Sequence, residues 1–156
     1  MIYIVANWKM NKNHTEAINY IKKINDFRDF EINKLNVLIA PPAIHLESIH
    51  SISSFPLVAQ NVSDQDQGAF TGEISAQMLS RYVKYAIIGH SERRQIFFES
   101  NILIKKKIDM CFQYDLLPIF CFGENKEARM QGDYLSVIKT QIEEVLFNLD
   151  LSKIHN

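Results

Sequence analysis

The chain of 156 residues is 47% hydrophobic, 22% charged and 11% aromatic with a formal net charge of -1, which excludes a disordered polymer and fits one folded domain over residues 1–156. No apolar run approaches the roughly 20 residues of a membrane-spanning helix, and Met1 to Ala6 is too short and lacks the basic start of a secretory signal, so a cytoplasmic location is expected. Near-zero charge argues against nucleic acid or an anionic membrane as a main partner, and Cys111 and Cys121, without C-x-x-C spacing, are expected to be reduced thiols.

Short β-branched runs alternate with longer amphipathic ones, and no Pro/Gly/Ser-rich linker interrupts them. That pattern predicts a series of βα units. The first strand, Ile2 to Asn7, is apolar throughout and is expected to be covered on both faces. Asn13 with Glu16 three residues later predicts a capped helix whose stripe is Ala17, Ile18, Ile21, Ile24 and Phe27. A second strand, Asn36 to Ala40, ends at Pro41-Pro42, and Pro42 is placed to open a helix carrying Ile44, Ile49 and Ile52. After a third strand, Leu57 to Asn61, comes a polar loop, Val62 to Gly72, longer than most βα connections and bearing Phe70 as an exposed aromatic. Loops of this kind usually bind something.

Ile74 to Tyr82 reads as a helix, Tyr85 to Gly89 as a fourth strand, and Asn101 to Gln113 as a helix with Ile104, Ile108 and Phe112 inward. The run Lys105-Lys106-Lys107 in this helix reads as a solvated face. A fifth strand, Leu116 to Phe122, tolerates Pro118 near its start, and a last helix, about Asp133 to Leu149, is expected to bury Leu135, Ile138, Ile142, Val145 and Leu149. Parallel strands with helical crossovers leave two architectures, an open doubly wound sheet or a closed (β/α)8 barrel. A doubly wound, nucleotide-binding sheet predicts an acidic cluster or a glycine fingerprint after the first strand, where this chain has Asn7-Trp8-Lys9.

Polar residues gather where the strands finish: NWKMN at 7–11, APP at 40–42, AQN at 59–61 followed by GAFTGEIS at 68–75, IGHSERR at 88–94 and CFGE at 121–124. In a parallel sheet these ends share one face, where α/β proteins bind and react. In this order, these motifs resemble triosephosphate isomerase over the first five βα units of that family's barrel, from Met1 to about Leu149. The resemblance implies an α/β TIM-barrel fold, here an incomplete open barrel of about five parallel units. It also implies interconversion of two triose phosphates in glycolysis and gluconeogenesis, with a small phosphorylated triose as substrate, no cofactor and no metal.

By the same resemblance, His90 is the catalytic electrophile, Lys9 a catalytic and substrate-binding cation, and Asn7 its substrate-binding neighbour. His90 precedes Ser91-Glu92-Arg93-Arg94, a helical turn whose dipole favours a neutral imidazole. Ser91, Glu92 and Cys121 are expected to surround the site. Glu92 either partners Lys9 or His90 or makes a surface ion pair with Arg93 or Arg94, and Cys121 packs rather than attacks, because no base is near it in sequence. Outside the motifs, His14, His45, His50 and His155 read as ordinary helix or tail residues without metal-ligand spacing. Gln65, Phe70 and Thr71 lie in the loop that in the family reaches a partner subunit, which implies a homodimer with Thr71 approaching the other chain's Asn11 and Glu92.

A (β/α)8 barrel takes about 250 residues. The family's general base, a glutamate after the sixth strand, its closing lid and its phosphate loops have no counterpart in these 156 residues. The expectation is a chain inactive by itself and prone to aggregate or to remain partly molten unless another chain covers the open side. It then works either as one piece of a split barrel or as a non-catalytic remnant.

Overall fold

A computed structural model describes residues 2–27, 35–147 and 149 of the chain. Strand β1 (Ile2–Asn7) pairs in parallel with β2 (Leu35–Ala40) along its whole length. Strands β3 (Val58–Ala59), β4 (Tyr85–Ile88) and β5 (Leu117–Phe120) form a second parallel sheet in that order. A parallel bridge between Ile39 and Leu57, with the Ile39 N–H donating to the Pro56 carbonyl at 3.0 Å, sets β2 beside β3. The strands thus follow one another in chain order. A doubly wound sheet reverses its order after the first units, whereas an unreversed parallel succession is an arc of a barrel. Among the described residues the arc does not close: β1 and β5 each have a single strand partner.

Between the strands run α1 (His14–Asn25), a 3-10 turn (Ala43–His45), α2 (Leu46–His50), α3 (Ala76–Ser80), α4 (Ser91–Ile96), α5 (Asn101–Gln113), α6 (Lys126–Gln131) and α7 (Tyr134–Leu146). The start of α1 is the expected capping box: the Glu16 N–H donates to Asn13 Oδ1 at 3.0 Å and the Asn13 N–H to Glu16 Oε2 at 2.8 Å. Strand alternation divides the apolar residues into two sets. Ala6, Ile39, Leu57, Ala59, Ala86 and Ile88 face the helices and join Ala17, Ile21, Ile49, Ile104 and Ile108 in the main core. Val5, Leu38, Ala40, Val58 and Ile87 form a smaller cluster on the opposite, inner face, where Tyr3 and Tyr85 meet edge to face with ring centroids 6.3 Å apart.

Several sequence expectations are corrected. β1 is not covered on both faces: Ile2, Tyr3 and Ile4 are 58%, 49% and 47% exposed, because an apolar strand is buried only by neighbours and among the described residues β1 pairs with one strand. Lys107 does not lie on a solvated face. It is 3% exposed, and its position, three after Ile104 and four before Cys111, falls within the buried stripe of α5. Pro42 opens a 3-10 turn rather than a long helix, so Ile44 points outward while Leu46 and Ile49 are buried. On α7, Val145 is fully buried and Ile138 and Ile142 partly so, but Leu135 remains exposed. An apolar stripe marks what can be buried, not what a neighbour reaches. Phe27 likewise follows the end of α1 and is exposed. Helix α6 is absent from the expected elements, although Asn125 caps it through Oδ1 to the Ala128 N–H at 2.8 Å and Gly132 closes it at φ +84°.

The bare outer face of β1 has a measurable consequence, because unpaired apolar edges template association. Replacing Ile2 and Ile4 together by lysine is expected to lower the fraction of self-associated material in light scattering while the far-ultraviolet circular dichroism stays unchanged.

Candidate active site

The carboxyl ends of the strands form one rim, and the loop after β1 is the most constrained part of it. Asn7 Oδ1 accepts the Lys9 N–H at 2.9 Å, turning the chain back on itself. Lys9 takes φ +53°, a left-handed backbone costing a residue with a Cβ about 1 kcal/mol or more. That geometry is held from outside: Gln60 Nε2 donates to the Lys9 carbonyl at 3.0 Å and to the Ala40 carbonyl at 2.8 Å. Asn11 Nδ2 donates to the Trp8 carbonyl at 2.7 Å, and the Trp8 ring is buried edge-on against Tyr20. His45 turns out to be part of the same support, buried with Nε2 2.8 Å from the Lys12 carbonyl. His50 also bonds to backbone, its Nδ1 2.9 Å from the Tyr82 carbonyl. His155 lies outside the described residues.

On the far side of the rim, β4 is followed by Gly89, whose φ is +76° and where a Cβ would come 3.0 Å from the Cys121 carbonyl oxygen. Only glycine meets both conditions. The next residue, His90, caps α4: its Nδ1 accepts the Glu92 N–H at 3.2 Å. A ring nitrogen that accepts carries no proton, so this bond selects the tautomer with hydrogen on Nε2.

Glu92 joins the two ends. Its Oε1 accepts from Lys9 Nζ at 2.6 Å and its Oε2 lies 3.6 Å from His90 Nδ1. Of the alternatives left open by sequence, the partner is therefore Lys9 rather than Arg93 or Arg94. The hydrogen bond from Lys9 is the main reason the Glu92 carboxyl titrates below its ordinary value of 4.5, with the Lys9 charge adding to it against a desolvation effect smaller than that bond. Asn7, Lys9, Gln60, Asn61, His90 and Glu92 line one cleft of about 530 Å³. On the other side of His90, a second cleft of about 410 Å³ is lined by Ser91, Cys121, Gly123 and Glu124. Burial pushes the Cys121 thiol above its ordinary value, against the pull of Arg94. This suits a packing residue better than a nucleophile.

Beneath the cleft lies a cluster absent from the sequence expectations. Glu99, 5% exposed, accepts through one oxygen from both Arg93 Nε and Lys107 Nζ, and Lys107 also donates to Asn61 Oδ1 at 2.9 Å. The phase of α5 carries a signal for it, since a lysine in a buried stripe needs an anion. No group of acidic, histidine and cysteine side chains that could hold a metal occurs among the described residues.

In the long loop, Phe70 is half-exposed with its ring over Gly68, where a Cβ would stand 3.1 Å from it, and Thr71 is exposed. The loop is tied to its own chain by the Ser63 N–H to the Ile74 carbonyl at 2.9 Å and by a hydrogen bond from the Tyr114 hydroxyl to Asp66.

The family model described as triosephosphate isomerase matches residues 2–156. Curated proteins named triosephosphate isomerase are similar to the chain: that of Amoebophilus asiaticus is 45% identical over 94% of this chain, and that of Dehalococcoides mccartyi 42% identical over 97%. The match with the protein of Mycoplasmopsis pulmonis is 40% identical over 98% of this chain and 65% of that protein. The chain spans about 60% of the length of the first two. No helix of the described residues is long and apolar enough to cross a membrane.

Two measurements probe these contacts. A carboxyl depressed in the folded state contributes its stabilisation above the unfolded value and loses it as pH falls through the folded value. The Glu92 side-chain carbon should therefore titrate below 4.5 in nuclear magnetic resonance, and Lys9→Met should move that titration upward. Glu99→Gln leaves the buried Lys107 and the partly buried Arg93 without their anion and is expected to cost about 3 kcal/mol, read as a lower urea midpoint at unchanged slope.

Proposed function

The chain belongs to the triosephosphate isomerase family, and from that premise we propose that it carries the electrophilic part of a site interconverting dihydroxyacetone phosphate and glyceraldehyde 3-phosphate. The supporting observation is the convergence of Lys9 and His90 on one cleft with Glu92 bonded between them. Moving a carbonyl along a triose requires a base to take a carbon-bound proton and donors to hold the negative charge that develops on oxygen. His90, with its hydrogen on Nε2, donates to the substrate oxygen. The Lys9 ammonium neutralises an oxyanion or phosphate as a compact point charge, and Asn7 fixes the loop that carries it. Proton transfer within one substrate moves no electrons to or from an outside acceptor, so the reaction calls for no cofactor.

The base comes from elsewhere in the barrel. Glu92 is engaged by Lys9 and its basicity is lowered, the opposite of what a carbon acid demands. By family resemblance the base is a glutamate of the sixth unit, and the lid and phosphate loops belong to units six to eight. In this reading, residues 1–156 work as one domain that is inactive until those units complete it, either in the same polypeptide or from a second one. Among the described residues β1 and β5 each pair with one strand, which favours such completion over a remnant without catalysis. A homodimer in the cytoplasm, with Gln65, Phe70 and Thr71 reaching the partner's site, is part of the same reading; the exposure of Phe70 and Thr71 is what supports it.

The test is complementation. Combining the chain with a polypeptide supplying units six to eight should produce isomerase activity, and His90→Ala should lower kcat by about a hundredfold or more, the scale for losing one oxyanion donor. Persistent inactivity of a well-formed, stoichiometric complex would refute the proposal.

A further inference from the structure

The guanidinium of Arg94 is half-buried behind His90 and uses its three nitrogens in three directions. Nε donates to the Gly89 carbonyl at 2.8 Å, Nη2 to the Cys121 carbonyl at 3.2 Å, and Nη1 to Asn101 Oδ1 at 2.7 Å. The two carbonyls belong to the ends of neighbouring strands, just where the β4–β5 ladder gives out; its last bond runs from the Cys121 N–H to the Ile88 carbonyl at 2.8 Å. Asn101 is itself held, because its Nδ2 donates to Glu144 on α7 at 2.7 Å. The guanidinium is thereby anchored by α5 and α7 and presented to the rim.

The Gly89 carbonyl shares its peptide plane with the His90 nitrogen. Holding that oxygen fixes the plane from which His90 departs, and the His90 carbonyl is fixed in turn by the N–H groups of Arg93 at 2.9 Å and Arg94 at 3.1 Å. With the backbone locked on both sides, the ring meets the Glu92 N–H that selects its tautomer. We infer that Arg94 is a positioning residue that sets the orientation and tautomer of His90 by clamping the ends of β4 and β5. This rests on the reading of His90 as electrophile and adds to it that the electrophile is pre-organised by residues of this chain alone. A lysine cannot substitute, since a single ammonium on a flexible stem has no planar fork to span two carbonyls and an amide.

The experiment compares Arg94→Lys and Arg94→Met in the full chain, alone or combined with units six to eight, whichever sample is folded. Nitrogen-15 spectra of the imidazoles are the main readout. In the parent protein His90 should show one neutral tautomer with hydrogen on Nε2. In either variant its two nitrogen shifts should move toward each other as the tautomers mix, while the signals of His45 and His50, bound to distant carbonyls, stay in place. In a completed, active barrel kcat should fall on the order of tenfold to a hundredfold, as for a catalytic group misplaced by up to an ångström, with KM changing far less. An unchanged His90 spectrum in a folded variant overturns the inference, and so does loss of the fold in both variants, which would make Arg94 a stability residue. Absence of turnover with the predicted spectral change would instead count against the isomerase reading and leave the clamp intact.

Discussion

Parallel strands laid down in chain order bring every carboxyl end to the same rim, and the rest of the structure answers the problem this creates. Past the last ladder bond the carbonyls splay apart with no strand left to satisfy them. Side chains replace the ladder there. Gln60 ties the loop after β1 to the end of β2, and Arg94 joins the ends of β4 and β5. Each of these stitches stands next to a residue of the candidate site. The side chains that satisfy the backbone's hydrogen bonds at the rim are the same ones that aim Lys9 and His90.

Glu92 and Glu99 show how environment divides one chemistry into two jobs. Glu92 is partly exposed and paired with a lysine across the cleft, so it is held as an anion and placed between ammonium and imidazole. Glu99 is buried between two cations, where it compensates charges that would otherwise be intolerable below the cleft. Neither is free to act as a base toward carbon. In the proposed function this leaves electrophile and cation to the first units of the barrel and the proton acceptor to the later ones.

The site is legible in the amino-acid sequence through its strand-end motifs. Asn7, Lys9, His90 and Glu92 stand at the ends of predicted parallel strands, and topology alone then requires them to share a face. The helices α1 and α5 are legible for local reasons, a capping box in one and a sustained apolar period in the other. What stays hidden depends on partners distant in sequence. Lys107 is one charge in a run of three until Glu99 and Asn61 come to meet it. Arg94 is one more charge in a polar turn until two carbonyls 5 and 27 positions away converge on it. Ile2, Ile4 and Leu135 read as buried because periodicity reports the polarity of a face and carries no information about what packs on it.

From the sequence by itself come the family, the parallel βα order and the residues at the strand ends, because these rest on local patterning and on side-chain chemistry that is the same in any environment. Only the tertiary structure decided that Glu92 pairs with Lys9, that Lys107 is buried, that β1 is bare on its outer face and that a guanidinium grips the Gly89 carbonyl just before His90. Each of those outcomes is a distance or a burial between segments remote in the chain, and such quantities do not exist until the chain has folded.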